Sequence, residues 1–342
     1  MKRPDPVFLG LLAVIVAVGF VLLTSASGPT AFQKFNDASW YLGHQALFGL
    51  LPGIFLFTVL SHLDYRHLRS VALPLFVVAL VLLSVVFAPG VGAEWGSSKS
   101  WLAVGAFSLQ PAEIAKFAII VFLASVFARA SSGGRFDARQ ALLPLLASVG
   151  ACGVLLMLQP DLGGFIVIVA VAVSLYFFAG APWRHLATIG AAGVIGVALL
   201  IQSAPYRSDR FMTFLHPEID PQGIGYHINQ AYLAIGSGGL FGSGLGHSRQ
   251  KFLYLPEVVG DSIFAVAAEE LGFFFTAGLV VLFVALVLRG LRIARGAPDD
   301  FSRLLVVGAM SWVFFQTLFN IGSMLGLMPI TGLTLPFVSY GG

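Results

Sequence analysis

Apolar stretches long enough to cross a lipid bilayer recur nine times along this chain of 342 residues. A helix needs about 20 mostly apolar residues to span the hydrocarbon core. The stretches run Val7–Leu23, Ala46–Leu60, Val71–Ala88, Ala112–Ala128, Ala141–Leu158, Leu162–Ala181, Leu186–Ile201, Ser262–Leu288 and Leu304–Leu325. Charge is too scarce for any other solvent. Only 10% of residues are Asp, Glu, Lys or Arg, against roughly 25% in a soluble domain. A soluble enzyme, a disordered chain and a secreted scaffold are thereby excluded. The alternating pattern of a transmembrane barrel is absent, so the expected fold is an all-α polytopic membrane protein with nine transmembrane helices. The single cysteine, Cys152, excludes a disulfide framework or a cysteine metal cluster. A net charge of +3 is too small to point to nucleic acid.

Lys2 and Arg3 precede the first stretch, and Thr24-Ser25-Ala26-Ser27 offers small residues of the kind cleaved after a signal peptide. The apolar run is long for a signal and eight more follow, so it reads as a retained helix. Lys and Arg then set the orientation. With the N-terminus inside, the inner segments hold Lys2, Arg3, Arg66, Arg69, Arg129, Arg135, Arg139, Arg184, Arg289, Arg292, Arg295 and Arg303. The outer side keeps Lys34, Lys99, Lys116, Arg207, Arg210, Arg249 and Lys251. The N-terminus is therefore expected in the cytoplasm.

The longer connections fall outside: Ser25–Gln45, Pro89–Pro111 and the large loop Gln202–Asp261 between the seventh and eighth helices. An outward active face has no access to cytosolic nucleotides, and no nucleotide-binding glycine fingerprint occurs. Within the large loop, Ile224–Leu240 is weakly amphipathic, as a segment lying in the interface plane would be. Gly236, Gly238, Gly239, Gly242, Gly244 and Gly246 follow, consistent either with a flexible turn-rich loop or with backbone brought close to a ligand. The last residues, 326–342, are apolar, uncharged and rich in Gly and Pro. Such a segment suggests a re-entrant stretch buried against protein.

Ionisable residues in or beside spans are functional candidates by default. Glu113 and Lys116 lie three apart, hence on one face of the fourth helix. They form either a structural ion pair or a cation offered to an anionic ligand, with Glu113 holding it. Asp161 is placed to cap the sixth helix. Asp261 sits where the large loop meets the eighth helix, either as another N-cap or as a functional carboxylate. A helix N-terminus favours its ionised form while partial burial raises its pKa. A charged yet basic carboxylate of that kind suits proton abstraction from a hydroxyl. Glu257 is close enough in sequence to share a metal or a substrate with it. Glu269 and Glu270 lie roughly 12–14 Å further along that helix. Asn320 and Gln316 are their candidate partners, in a structural role. His44, His216, His227 and His247 have no ligand spacing and read as surface groups. No hydrolase motif is present.

At these residues the sequence resembles the SEDS family (shape, elongation, division and sporulation), membrane glycosyltransferases that polymerise peptidoglycan. The likeness rests on Gln110-Pro111-x-Glu113-x-x-Lys116, Gln159-Pro160-Asp161-Leu162-Gly163, Ala234–Gly242, Ser248–Glu257, Asp261–Gly272 and Pro329–Gly342. The run Arg249-Gln250-Lys251-Phe252, with Tyr254-Leu255-Pro256-Glu257, and Thr334 before Leu335-Pro336-Phe337 look more like the division and sporulation branch than the rod-elongation branch. There are departures. The family usually carries Ala-His-Thr where Val258-Val259-Gly260 stands, Gln where His227 stands, and Arg where Ser100 precedes Trp101.

The resemblance implies ten helices, so that a final one would follow Gly342, and a single SEDS-type domain over 1–342. It implies that lipid II and a growing glycan linked to undecaprenyl pyrophosphate meet at the outer leaflet of the bacterial inner membrane. Undecaprenyl pyrophosphate leaves, and inversion gives a β-1,4 bond without a nucleotide. Asp261 matches the essential aspartate and would be the base. Lys116, Arg207, Arg210, Arg249 and Lys251, with Glu257, would serve the substrate pyrophosphate. Glu113, Trp101, Asp161 and Ser339 would support the site. A divalent cation, Mg2+ or Mn2+, on Asp261 and Glu257 is compatible with this chemistry. The implied partners are a class B penicillin-binding protein transpeptidase and other division or elongation membrane proteins. The rival readings are a lipid II flippase and a non-catalytic division scaffold.

Overall fold

A computed structural model describes residues 4–88, 92–95, 98–104, 107–131, 136–202, 205–218, 220–223 and 225–341. The chain is mostly helical, and among the described residues six helices are long and apolar enough to cross a membrane. They are α1 (Pro6–Phe35), the continuous segment Trp40–His62, α6 (Pro111–Ala130), α7 (Ala138–Leu158), α12 (Ile263–Arg295) and α13 (Asp300–Met324). The segment Trp40–His62 comprises α2 (Trp40–His44), a π-helical stretch Gln45–Leu50 and α3 (Leu51–His62). Two shorter apolar helices, α5 (Ala72–Val85) and α8 (Leu162–Phe178), join α4 (Arg66–Ser70), α9 (Trp183–Gln202), α10 (Pro205–Leu215) and α11 (Tyr226–Gly238). Apolar side chains cover exposed helix faces. In α3, Leu51, Ile54, Phe55, Leu56 and Phe57 all face outward and no residue is buried. Water does not tolerate such a surface over whole helices, and lipid does.

The contacts divide the chain into two compact units. Among the described residues, the first comprises those up to 49 with 189–286 and 316–341, and the second those of 50–188 and 287–315.

The second unit is built around α6. Its buried side includes Ala115, Lys116, Ile119, Ile120, Leu123 and Phe127, and it packs against α5, α7 and α8. Part of α13 lies on the same core. A Cβ added at Gly308 would meet Ile120 at 2.6 Å and Leu175 at 3.2 Å. The chain is mostly helical as expected, with one addition in a segment read as a loop. Pro89–Pro111, read as a loop, contains a three-stranded antiparallel sheet, β1 (Gly92–Trp95), β2 (Ser98–Val104) and β3 (Phe107–Leu109), in order β1-β2-β3. Leu102 sits opposite Gly92 and Leu109, and Trp101 opposite Ala93. Two-residue links of Gly-Ser and Gly-Ala separate strands rich in Trp, Val, Leu and Phe, which is hairpin composition.

In the first unit α1 outruns its expected span. The helix starts at an Asp5 cap, whose Oδ1 accepts from Phe8 N at 2.9 Å, and continues past Leu23 to Phe35. Ala26, Ser27, Thr30 and Ala31 are buried. The small polar residues that look like the start of a loop are a helix face packed on protein.

The large loop is likewise more ordered than its polarity suggests, with α10 and α11 inside it. Ile228, Ala231, Ala234 and Gly238 bury one side of α11, so this helix packs on protein along that side. The glycine cluster has a third explanation beyond flexibility or ligand approach. A Cβ at Gly238 would meet Ala268 O at 1.9 Å, and one at Gly242 would meet Glu270 O at 2.2 Å. Gly272 has φ 75° and breaks α12 into two halves. Segment 239–244 fills the break. Ser243 N and Gly244 N donate to Glu269 O and Glu270 O at 2.9 Å, while Phe273 N and Phe274 N donate to Gly239 O and Leu240 O at 3.0 and 3.3 Å. The helix-end groups that a break would orphan are thus satisfied by backbone. Only glycine permits two main chains so close.

Candidate active site

The short segment 255–262 presents Asp261. Leu255 N donates to Gln250 O at 2.9 Å. Gly260 N and Ser262 N both donate to Glu257 O, at 3.0 and 3.2 Å, closing a tight turn in which Glu257 has φ 48°. Ser262 Oγ donates to Pro256 O at 2.7 Å. That uses its one proton, so His227 Nε2, 2.7 Å from the same oxygen, is the donor to it. Tyr340 N donates to Val259 O at 2.8 Å. Asn320 Nδ2 donates to Asp261 O at 2.8 Å and to Leu333 O at 2.7 Å. Asp261 itself is 7% exposed, directly before α12. Glu257 is exposed.

The C-terminal segment packs beside this turn. Leu333, Leu335, Val338 and Ser339 are buried, and Ser339 Oγ accepts from Leu335 N at 2.9 Å, so Ser339 closes a turn. Gln316 Nε2 donates to Thr334 O at 3.1 Å. A Cβ at Gly19 of α1 would meet Phe337 O at 2.4 Å, so α1 fits closely against the segment. Tyr340 Oη lies 3.0 Å from His44 Nδ1. His44 and His227 are therefore built into the protein, contrary to the reading of them as surface groups.

Glu269 and Glu270 are buried and hydrogen-bonded, but not to Asn320 or Gln316. Glu269 accepts from Ser248 Oγ at 2.5 Å, Arg249 N at 2.8 Å and Gln250 N at 3.3 Å. Glu270 accepts from Ser25 Oγ at 2.5 Å, Lys251 Nζ at 2.7 Å and Ser248 N at 3.3 Å. The two carboxylates hold segment 248–251 onto the helix. Lys251 is thereby corrected from a pyrophosphate ligand to the buried countercharge of Glu270, with a further bond to Ser25 Oγ at 3.2 Å. Desolvating that ammonium demands a carboxylate partner, and Glu270 supplies it. Arg249, its backbone fixed by Glu269, stays exposed. Arg207 and Arg210 belong to α10, and their side chains lie outside the described residues, as does that of Lys99.

In the second unit, Lys116 Nζ meets Glu113 Oε1 at 2.6 Å and lies 5.7 Å from the Trp312 ring centroid. The lysine is buried and the glutamate is partly exposed. Asp161 caps α8 as expected, Oδ1 accepting from Gly164 N at 2.8 Å. Burial pushes its pKa above the usual carboxylate range, against the Gly164 bond and the charge of Lys116 and in the same direction as the charge of Glu113. Gln159 Nε2 donates to Leu83 O at 2.7 Å, and Ser100 Oγ donates to Gln159 O at 3.2 Å, tying β2 to the turn before α8. Trp101 is half-buried in β2. Among the described residues no three His, Cys, Asp or Glu side chains cluster as a metal site.

Sequence reasoning passed over Ser25, Ser248 and Tyr340, and it misassigned Asn320. Ser25 was visible only as part of a small-residue run. Asn320 carried a signal, since an amide inside an apolar helix needs partners.

A family profile described as cell cycle protein, covering the FtsW, RodA and SpoVE proteins, matches residues 6–342. The chain belongs to that family of multi-pass membrane proteins, also called SEDS proteins. It is 41% identical over 339 residues to stage V sporulation protein E of Bacillus subtilis strain 168, covering 99% of this chain and 92% of the relative. It is 34% identical over 342 residues to a probable peptidoglycan glycosyltransferase FtsW of Geobacter sulfurreducens, covering 100% and 91%. Among solved structures, a chain of a peptidoglycan synthase complex that coordinates polymerization and crosslinking is similar at TM-score 0.78 and 31% identity, covering 100% of this chain and 93% of that one. The rod shape determining protein RodA of Thermus thermophilus is similar at TM-score 0.70 and 32% identity, covering 98% and 90%.

Proposed function

We propose that this protein is a peptidoglycan glycosyltransferase that polymerises lipid II into β-1,4 glycan strands at the outer leaflet, releasing undecaprenyl pyrophosphate. The observation that carries the reading is the end-to-end likeness to a chain of a peptidoglycan synthase complex. It is joined by an aspartate whose backbone is braced at the mouth of α12. In this reading nine helices cross the inner membrane with the N-terminus in the cytoplasm, and segments 25–45, 89–111 and 202–261 face outward.

Asp261 takes the proton from the acceptor's 4-hydroxyl as that oxygen attacks the donor's anomeric carbon. The bond to pyrophosphate breaks from the opposite face, and the configuration inverts. A base held in one geometry lowers the barrier because no reorganisation is needed at the moment of transfer. Arg249, Arg207 and Arg210 meet charge building on the leaving pyrophosphate, the kind of fixed electrostatics that often dominates catalysis. Lys116 and Glu113, with Asp161, Trp101 and Ser339, support the site. The donor set suits a divalent cation that takes most of its shell from substrate phosphates, since Mg2+ is commonly held by one or two carboxylates. Glu257 and Asp261 would be its protein ligands, and its chemistry would be charge neutralisation. The crosslinking partner is a class B penicillin-binding protein.

The test is purified protein in detergent with lipid II. Wild-type protein is expected to form polymer without a sealed membrane, which a flippase does not do. Asp261→Ala is expected to lower turnover by at least a thousandfold, by analogy with loss of other acid–base groups, while the variant still elutes as folded protein. Wild-type rates in that variant would refute the base assignment. The same assay with and without chelator decides the metal.

A further inference from the structure

Asp261 is useful as a base only if its backbone is fixed, and a turn does not fix itself. Within 255–262 the bonds to Glu257 O are local and would survive a rigid tilt of the whole turn. Three contacts come from elsewhere in the sequence and restrict a tilt: Tyr340 N on Val259 O, His227 Nε2 on Ser262 Oγ and Asn320 Nδ2 on Asp261 O. Of these, the Asn320 bond is made to the backbone of Asp261 itself.

Asn320 is fully buried in α13. Its amide faces two carbonyl oxygens, of Asp261 at 2.8 Å and of Leu333 at 2.7 Å. Both are acceptors, so the group between them must be the NH2, with one hydrogen for each. Among uncharged side chains only the carboxamides of Asn and Gln offer two N–H donors on one nitrogen, and Gln is a methylene longer. An aspartate there would set acceptor against acceptor, and a leucine would leave two carbonyls unsatisfied. The amide therefore couples the turn that carries Asp261 to the segment 333–340, which itself returns to the turn through Tyr340 N. Together they form a closed loop of contacts around one carboxylate-bearing residue.

We propose that Asn320 is the positioning residue for Asp261, and that the C-terminal Leu333–Tyr340 segment is the second half of that brace. The inference rests on the glycosyltransferase reading, with Asp261 as base. It accounts for an uncharged polar residue deep in an apolar helix, which the sequence alone pairs with the wrong carboxylates. It also gives the Leu333–Tyr340 segment a role in chemistry beyond filling space.

The experiment uses the full chain, purified in detergent, with lipid II as substrate. Asn320→Ala and Asn320→Ser are measured for kcat, KM and the pH dependence of kcat. Asn320→Ala is expected to lower kcat about thirtyfold with KM within about twofold, and to move the acidic limb of the pH profile. Asn320→Ser keeps one donor and is expected to fall between Asn320→Ala and wild type. Unchanged kcat per folded molecule in both variants, with the limb in place, overturns the inference. So does loss of a folded, monodisperse protein in both, because the amide would then be a folding element. Wild-type protein that makes no polymer, or an Asp261→Ala variant that makes it normally, overturns the underlying reading instead.

Discussion

Lys251 and Lys116 are both ammonium groups taken almost wholly out of solvent, and each meets a glutamate at hydrogen-bond distance. Their partners differ. The Lys251 and Glu270 side chains are 4% and 0% exposed, whereas Lys116 at 2% faces Glu113 at 39%. A pair enclosed on both sides can neutralise itself and hold a segment down, but it has no free side to offer a ligand. A pair with one exposed member passes its field outward. Burial of the second partner separates a structural ion pair from one that a substrate can sense.

The largest effect should follow from breaking the enclosed pair. Removing one partner of a buried pair leaves an uncompensated charge, at a cost of about 3–5 kcal/mol. Lys251→Ala is therefore expected to lower thermal stability in detergent sharply, and to lower turnover only as far as folded protein is lost. The double variant Lys251→Met with Glu270→Leu should recover much of the stability, because apolar side chains of similar volume need no countercharge. A stable Lys251→Ala protein with lost turnover would return Lys251 to the pyrophosphate clamp and break the comparison.

These two lysines also mark what a sequence can and cannot reveal. The helices were legible because lipid leaves one way to satisfy a backbone, and apolar runs of about 20 residues announce it. The Asp161 cap and the Glu113–Lys116 pair were legible because both depend on spacings of three along one helix. Lys251 and Glu270 lie 19 apart, and Ser25 is 226 residues from Lys251, so nothing local couples them. The same holds for Asn320 and Asp261, 59 apart. The glycine cluster was visible as composition, but its cause is the break at Gly272, which a continuous apolar run conceals. The sheet at 92–109 went unread because its strands, Gly92–Trp95, Ser98–Val104 and Phe107–Leu109, are too short for an alternating pattern to stand out between membrane helices.

The half-open pair should respond in a different quantity. Lys116→Ala is expected to lower turnover about a hundredfold, the usual scale for one preorganised cationic or hydrogen-bonding group. Its loss of folded protein should be smaller than that of Lys251→Ala, since Glu113 reaches water more readily than Glu270. Glu113→Gln should cost about 1–2 kcal/mol of stability, with turnover reduced less than in Lys116→Ala. If expression of Lys116→Ala collapses before activity does, the pair is structural and the two lysines belong together.

The smallest effect sets the scale. Arg303 and Asp300, three apart in the first turn of α13, are 37% and 43% exposed with Nη2 and Oδ1 2.8 Å apart. Exposed pairs of this kind contribute about 0.2–1 kcal/mol, because water screens them and two long side chains must be ordered. Arg303 also donates to Phe178 O at 3.3 Å, so Arg303→Ala alone would count a second contact. The coupling is isolated by a double-mutant cycle of Arg303→Ala with Asp300→Asn, read from thermal unfolding. It should fall further as salt rises from about 0.15 to 1 M, where the screening length shrinks from about 8 to 3 Å. The Lys251–Glu270 cycle should not, since ions do not reach that pair. A coupling for Arg303–Asp300 as large as that for Lys251–Glu270, or equal sensitivity to salt in both, would mean that enclosure is not what orders these pairs. The assignment of Lys251 to structure would then lose its physical basis.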